Sequence, residues 1–353
     1  MKTIQSIVEK SLAELVKAGE LDEDKATLIL EEKYDGFVRR FADHLKGKIT
    51  RTSKGPLSDR REMRRDFTKR HQKRWKKAFD LLETIQAICE EIGTTFNAEY
   101  RPSAAKQQDC KFGALISLNV RGLLVSNETI CLLQNGFADG AMGRWRTLHE
   151  TAVIAQFLSG NDEIVSERYL ASFDVQARRA MHQYEECRER ANHSPFTEDQ
   201  IADIEQRYEQ TLERYGASIR GEYGWASEAL NKEKPNFFDL EVATGLDHWR
   251  PRYRWASQYT HANYKPSQTY LGLVEAEEQV LLIGPSNSGS VDPAHMTAFS
   301  LCHLTEALIR IRPTMDHLIM ARILLNLRDE LGPLLMDTER ESYEAFKASN
   351  EGA

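Results

Sequence analysis

A chain of 353 residues with 41% hydrophobic and 29% charged residues can bury one large core or two smaller ones, and that balance excludes wholesale disorder. Ten prolines and 20 glycines are few for this length and argue against a turn-dense β fold. A formal net charge of −7 speaks for solubility and by itself names no partner.

Residues 3–46 read as two helices. Ile4, Ile7, Leu12 and Leu15 recur at helical spacing, Gly19 ends the first helix, and Phe37, Phe41 and Leu45 continue the pattern in the second. This start is charged and amphipathic, so no secretory leader is expected. RTSKGPLSD, residues 51–59, has turn chemistry and is the expected linker, with Ser58 or Asp59 able to cap the next helix. That long helix is expected over residues 60–97, basic in its first half and apolar in its second, where Phe79, Leu82, Ile85 and Ile88 recur.

Apolar helices are expected over residues 112–134 and 137–158. A charged helix over 161–190 has Tyr169, Leu170, Phe173 and Met181 as its expected core stripe, and a polar helix covers 196–215. Residues 216–250 read as irregular, anchored by PNFFDL. A helix over about 251–262 carries RYRWASQYTHA, 284–293 is a loop, and an apolar helix spans 294–327 with a break expected at Pro313. The expected fold is an all-α multi-helix bundle with an N-terminal helical extension and a long basic helix. Its parts are residues 1–50, a linker over 51–59, a main helical domain over 60–330, and a C-terminal helix and tail over 331–353.

Charge is segregated along this chain. Residues 46–77 hold 14 Lys and Arg against three acids, a net +11, so the remainder carries −18. Arg64, Arg65, Lys69, Arg70, Lys73 and Arg74 are the candidate contacts to an RNA or DNA backbone through residues 60–77. Docking onto the protein's own acidic surface, or onto a partner subunit, is the alternative.

The helix GRWRTLHETAVIAQFL is apolar nearly all round, which is the pattern of a buried helix. With Trp145 at zero on a helical wheel, Arg146, His149 and Glu150 fall at about 100°, 40° and 140°, on one side, while Arg144 at about 260° points away. Arg146 and Glu150, four apart, can pair. The cluster is read either as a structural ion pair with a hydrogen-bonded core histidine, or as a pocket in which His149 handles a proton or a phosphate and arginines bind an anion. WASQYTHANYKPS gathers Ser257, Tyr259, Thr260 and His261 at an expected helix end. It is read as a capping network or as a second part of the same site.

Other chemistries find no footing. The five cysteines are scattered without a CxxC pair, which fits a reducing cytosol. No Walker A, GxGxxG, HExxH or GxSxG motif occurs, and GPSNSGS lacks the lysine that a phosphate loop needs. No metal, no cofactor and no membrane span is expected. The most apolar stretch, residues 114–133, is interrupted by Arg121, Asn127 and Glu128.

The ordered set RWKKAFDLLE, GRWRTLHETAVIAQFL, ERYLASF and SQYTHAN resembles an uncharacterised bacterial family of helical proteins, a domain of unknown function, over residues 60–327. That resemblance implies a shared fold, with Arg146, Glu150, Tyr169, Ser257 and His261 at the matching positions, and it implies no reaction. Arg144 and His149, with four residues between them, also resemble the Arg–His signature of the HEPN superfamily, helical proteins that include defence and toxin ribonucleases. This resemblance implies a cytoplasmic, metal-independent ribonuclease, active as a homodimer. His149 would be its general base, and Arg144 or Arg146 would stabilise charge on the phosphate. The competing expectation is a non-enzymatic module that binds nucleic acid or protein around a structural polar cluster.

Overall fold

The computed structural model describes residues 34–262, 269–276 and 281–351, together with residues 10, 13, 14, 16–20, 22 and 24. Ten α-helices and no strand occur among the described residues, so the fold is all-α. The helices are α1 (Tyr34–Thr52), α2 (Lys54–Gln107), α3 (Cys110–Gln134), α4 (Ala138–Gly160), α5 (Glu163–Cys187), α6 (Glu198–Tyr215), α7 (Phe237–Thr244), α8 (Arg250–Ser257), α9 (Val291–Arg310) and α10 (Met315–Glu351). Two compact units meet between Phe67 and Thr68 in sequence. The first expected helix, with Ile4, Ile7, Leu12 and Leu15, lies outside the described residues, as do Asn263 and Pro266 of the WASQYTHANYKPS segment.

In the first unit, the expected linker over 51–59 is helical. Only Ser53 separates α1 from α2, and the Leu57 amide donates to the Ser53 carbonyl at 2.9 Å. The turn signal came from Gly55 and Pro56, but both stand in the first turn of α2. There a proline forfeits no hydrogen bond, because first-turn amides have no intrahelical acceptor.

In the second unit, α2 contributes Trp75, Phe79, Leu82, Ile85, Cys89, Ile92 and Phe96 to the core at spacings of three and four. Helix α4 lies at the centre of the contacts between helices. It packs on α3 and α9, and also on α7 and α8, and 14 of its 23 residues are buried. Side chains of two other helices close over Gly122 of α3, where a Cβ would overlap Leu304 of α9 and press on Leu148 of α4. Gly122→Val is therefore expected to destabilise the bundle by about 3 kcal/mol or more, read from urea unfolding.

The stripe expected on α5 is corrected in part. Met181 is buried, but Leu170 is 40% and Phe173 64% exposed, while Arg168 is 2% exposed. Hydrophobic periodicity assigns an arginine to the surface, so it misplaced the face once an arginine took a core position. The break at Pro313 is present, since α9 ends at Arg310 and α10 starts at Met315. There is no separate tail helix, because α10 continues to Glu351 with Pro333 inside it. The segment read as irregular before residue 250 contains short 3₁₀ turns and the eight-residue α7. Asn236 caps that helix by accepting from the Phe238 amide at 2.9 Å, while Asp239 accepts from the Asn236 amide at 2.7 Å.

Candidate functional site

The polar residues of α4 divide between an inner and an outer network. His149 is 2% exposed and ringed by Trp145, Phe237 and Tyr253 at 5.3, 6.0 and 5.8 Å between ring centres. Its Nε2 lies 3.1 Å from Oε1 of Glu241 on α7, a side chain with no exposure at all. A carboxylate can only accept, so Nε2 carries the hydrogen. The other Glu241 oxygen accepts from Nη1 of Arg250 at 2.6 Å. One buried carboxylate thus holds the imidazole from inside and a guanidinium toward the surface, the arrangement a buried charge requires.

The outer network is partly exposed. Arg146 and Glu150 pair across one helical turn at 3.0 Å, with side chains 26% and 29% exposed. Arg146 Nη2 also donates to Tyr253 Oη at 2.8 Å, and Tyr253 donates its own hydrogen to Glu150 at 2.5 Å. Burial, together with the Glu150 carboxylate it faces, pushes the Tyr253 phenol up to about 12, so it keeps its proton at neutral pH. Burial works against the Arg146 charge, but the bonds to Tyr253 and Glu150 outweigh it and raise its pKa.

These outer groups border a cleft of about 820 Å³, with Arg250 and Arg254 also at its wall. Arg250 lies over the rings of Tyr253, Phe238 and Phe237 at 5.0, 5.3 and 6.0 Å. What this arrangement offers chemically is a protonated phenol, a carboxylate and several guanidinium groups at an opening, backed by a sealed His–Glu–Arg chain.

Of the remaining nominated residues, none lines that opening, and only Thr260 bonds to a side chain that does. Arg144 pairs with Glu128 of α3. His261 is exposed at the turn after α8, and none of the network's hydrogen bonds reaches it. Ser257 donates to the Tyr253 carbonyl at 2.9 Å, a local helix contact. Tyr259 donates to the Thr269 carbonyl at 3.3 Å, while Thr260 accepts from Arg146 Nη1 at 3.4 Å. Tyr169 packs edge-on against Trp225 at 5.0 Å, and its burial raises its pKa.

Glu241, Arg250 and Tyr253 were not singled out from sequence. A signal existed for each. Glu241 is a carboxylate in the apolar run FFDLEV, and Arg250 and Tyr253 are three apart, hence on one helical face.

The basic segment presents one face in the second unit. Around α2, Lys69, Lys73, Lys77 and Arg70 span an arc of about 100°, roughly opposite the buried His71, Trp75 and Ala78. All four cations are exposed, and no ion pair engages them among the described residues. Arg74, at the edge of the arc, turns to Glu275 at 2.7 Å. In the first unit, Arg64 and Arg65 are likewise exposed. Among the described residues, no group of three or more His, Cys, Asp or Glu is placed to hold a metal ion, and no helix is long and apolar enough to cross a membrane.

A model of a family of unknown function (DUF5677) matches residues 112–279. The match is narrower than the span over which the motifs suggested a resemblance, since it begins beyond RWKKAFDLLE. It contains both networks entire, from Arg146 on α4 to Tyr253 on α8, and omits the basic helix. No curated protein and no solved structure matches the chain.

Proposed function

We propose that this protein is a nucleic-acid-binding effector whose phosphate contacts come from the exposed face of α2. The observation that carries the proposal is the exposed stripe of Lys69, Arg70, Lys73 and Lys77, engaged in no ion pair among the described residues, on a chain whose remaining residues are strongly acidic. Four like charges held side by side repel one another, and solubility does not need them on an acidic protein. A polyanion relieves that repulsion and gains entropy from the counterions released. Arg64 and Arg65 extend the supply of cations in the first unit. Fluorescence anisotropy with single-stranded RNA and duplex DNA tests the proposal. The plot of log K against log salt should slope downward. The charge-reversal variant Lys69→Glu/Arg70→Glu/Lys73→Glu/Lys77→Glu should flatten that slope by about one unit for every phosphate it no longer neutralises. A slope already near zero in the parent protein removes nucleic acid as the partner.

A second reading is a cytoplasmic, metal-independent ribonuclease of a defence or toxin system, working as a homodimer. The observation favouring it is that Arg146, Glu150 and Tyr253 meet within 3.0 Å at an opening. In this reading Glu150 accepts the 2′-hydroxyl proton as that oxygen attacks phosphorus. Arg146 offsets the charge gathering on the phosphate, and Tyr253 gives its proton to the departing 5′ oxygen. His149, sealed and bonded to Glu241, positions the site and moves no proton. Glu150→Gln should then abolish RNA cleavage while changing stability by about 1 kcal/mol or less. Cleavage at the parent rate in that variant excludes the reading.

A further inference from the structure

The cleft beside α4 has a chemistry of its own, separate from the cations of α2. Three guanidinium groups border it, those of Arg146, Arg250 and Arg254, against the two carboxylates of Glu150 and Glu222. Arg146 and Arg250 are fixed from behind, by Tyr253 with Glu150 and by Glu241 respectively. Arg254 is exposed and has no ion-pair partner among the described residues. Cations anchored in this way lose little freedom when an anion arrives, which is the condition for tight oxyanion binding.

A simple anion would leave most of this cleft unfilled. Its volume of about 820 Å³ suits a molecule of nucleotide size. One wall is aromatic, and Phe238 is 41% exposed there although it is a large apolar ring. An exposed ring beside clustered arginines is a stacking platform, since a base has a π-face whatever its identity. Glu222 is exposed and Glu150 partly so, and both can accept hydrogen bonds from ribose hydroxyls or an exocyclic amine. The same carboxylates limit the negative charge the cleft tolerates. Arg146 is already paired with Glu150 and Arg250 with Glu241, so Arg254 is the guanidinium left without an ion pair among the described residues, which suits one phosphate and disfavours a triphosphate.

We infer that this cleft binds a nucleoside monophosphate unit, with its base on Phe238 and its phosphate on Arg254 and Arg146. That unit can be a free mononucleotide or the phosphorylated end of an RNA chain, and the chemistry of recognition is shared. The inference is independent of the α2 surface, so the two can fail separately.

Calorimetric titration tests it with four mononucleotides, adenosine, inorganic phosphate, and one short RNA with and without a 5′ phosphate. At least one mononucleotide should bind about tenfold or more tightly than adenosine or phosphate alone, because neither fragment engages both the ring and the arginines. Phe238→Ala and Arg254→Ala should each weaken that binding about tenfold, while the α2 charge-reversal variant leaves it unchanged. Both substituted side chains are exposed and neither makes a side-chain hydrogen bond in the two networks, so thermal melts should stay close to the parent even though the Phe238 ring lies under Arg250. Binding of the phosphorylated RNA without a free mononucleotide assigns the site to a chain end. Binding of mononucleotide and phosphorylated RNA alike assigns it to either source. If neither binds, or if both substitutions leave affinity untouched, the inference is wrong.

Discussion

Replacing Glu241 by Ala should lower the free energy of unfolding by about 3–5 kcal/mol, whereas Glu150→Gln should change it by about 1 kcal/mol or less. The contrast comes from burial. The Glu241 side chain has no exposure and accepts both from His149 at 3.1 Å and from Arg250 at 2.6 Å. Without it, a sealed imidazole loses its acceptor and cannot turn to water unless α4 and α7 part, while the Arg250 guanidinium, 23% exposed, loses its counter-charge. Glu150 is 29% exposed, and water replaces much of what the substitution removes.

Glu241→Gln should fall between these values, because its amide keeps one acceptor but turns a donor toward one of two donors. Urea unfolding of the three variants, with His149→Ala beside them, measures the series. His149→Ala should also cost less in the Glu241→Ala background than in the parent, since the two residues share one interaction. A Glu241→Ala protein within about 1 kcal/mol of the parent would mean that the chain His149–Glu241–Arg250 is not what holds α7 against α4. The same substitution bears on function. Arg250 is a wall of the cleft, so Glu241 acts on any ligand there as a positioning residue, through an arginine it touches.

How far a sequence reveals such a site depends on the distance over which its parts communicate. On α4 most of what is local was legible, although the wheel put His149 in one cluster with Arg146 and Glu150 and the structure gives it a separate, sealed network. The all-round apolar pattern is the buried helix that is found, Arg146 and Glu150 pair across one turn, and Arg144 points elsewhere, to Glu128. The partner of His149 was not legible, because Glu241 stands 92 residues further on and periodicity carries no information across that gap. Segregation of charge was plain from composition, but which face of α2 bears it depends on the packing of His71, Trp75 and Ala78. Two errors share one cause, a local signal read without its position. Gly55 and Pro56 suggested a turn yet stand where a helix begins, and the stretch before residue 250 looked irregular although Asn236 and Asp239 form a capping box three residues apart. His261 drew notice beside Tyr259 and Thr260, but it occupies a turn whose side chains face different surroundings.

Arg168 carries the other large effect, and here the prediction is that Arg168→Met unfolds at about 3–5 kcal/mol less than the parent while Arg168→Lys recovers less than half of that loss. The guanidinium is 2% exposed on α5. Its Nε donates to the Trp225 carbonyl at 3.2 Å, and Nη1 to the Tyr215 carbonyl at 3.2 Å and the Glu228 carboxylate at 2.6 Å. Nη2 reaches Ser218 Oγ at 3.1 Å, Ser227 Oγ at 3.3 Å and the Gly224 carbonyl at 3.4 Å. Those acceptors lie along a run of 3₁₀ turns that has no long helical ladder to satisfy its carbonyls, so one side chain does what secondary structure does elsewhere. The turns are also closely packed, since a Cβ on Gly224 would overlap the Ser218 carbonyl. Methionine matches the stem and leaves the Trp225 and Tyr215 carbonyls without their side-chain donor, while the Gly224 carbonyl keeps only the Ser227 amide. An ammonium offers three donors from one point and cannot span acceptors set around a planar fork. Hydrogen exchange locates the damage: amides near residues 215–228 should lose protection in Arg168→Met while those of α3 and α4 keep most of theirs. Uniform loss, or a lysine variant as stable as the parent, would refute this origin of the stability. Because Glu222 and Tyr223 stand in the same run and border the cleft, loosening it should also weaken mononucleotide binding, although Arg168 itself lies outside the cleft wall.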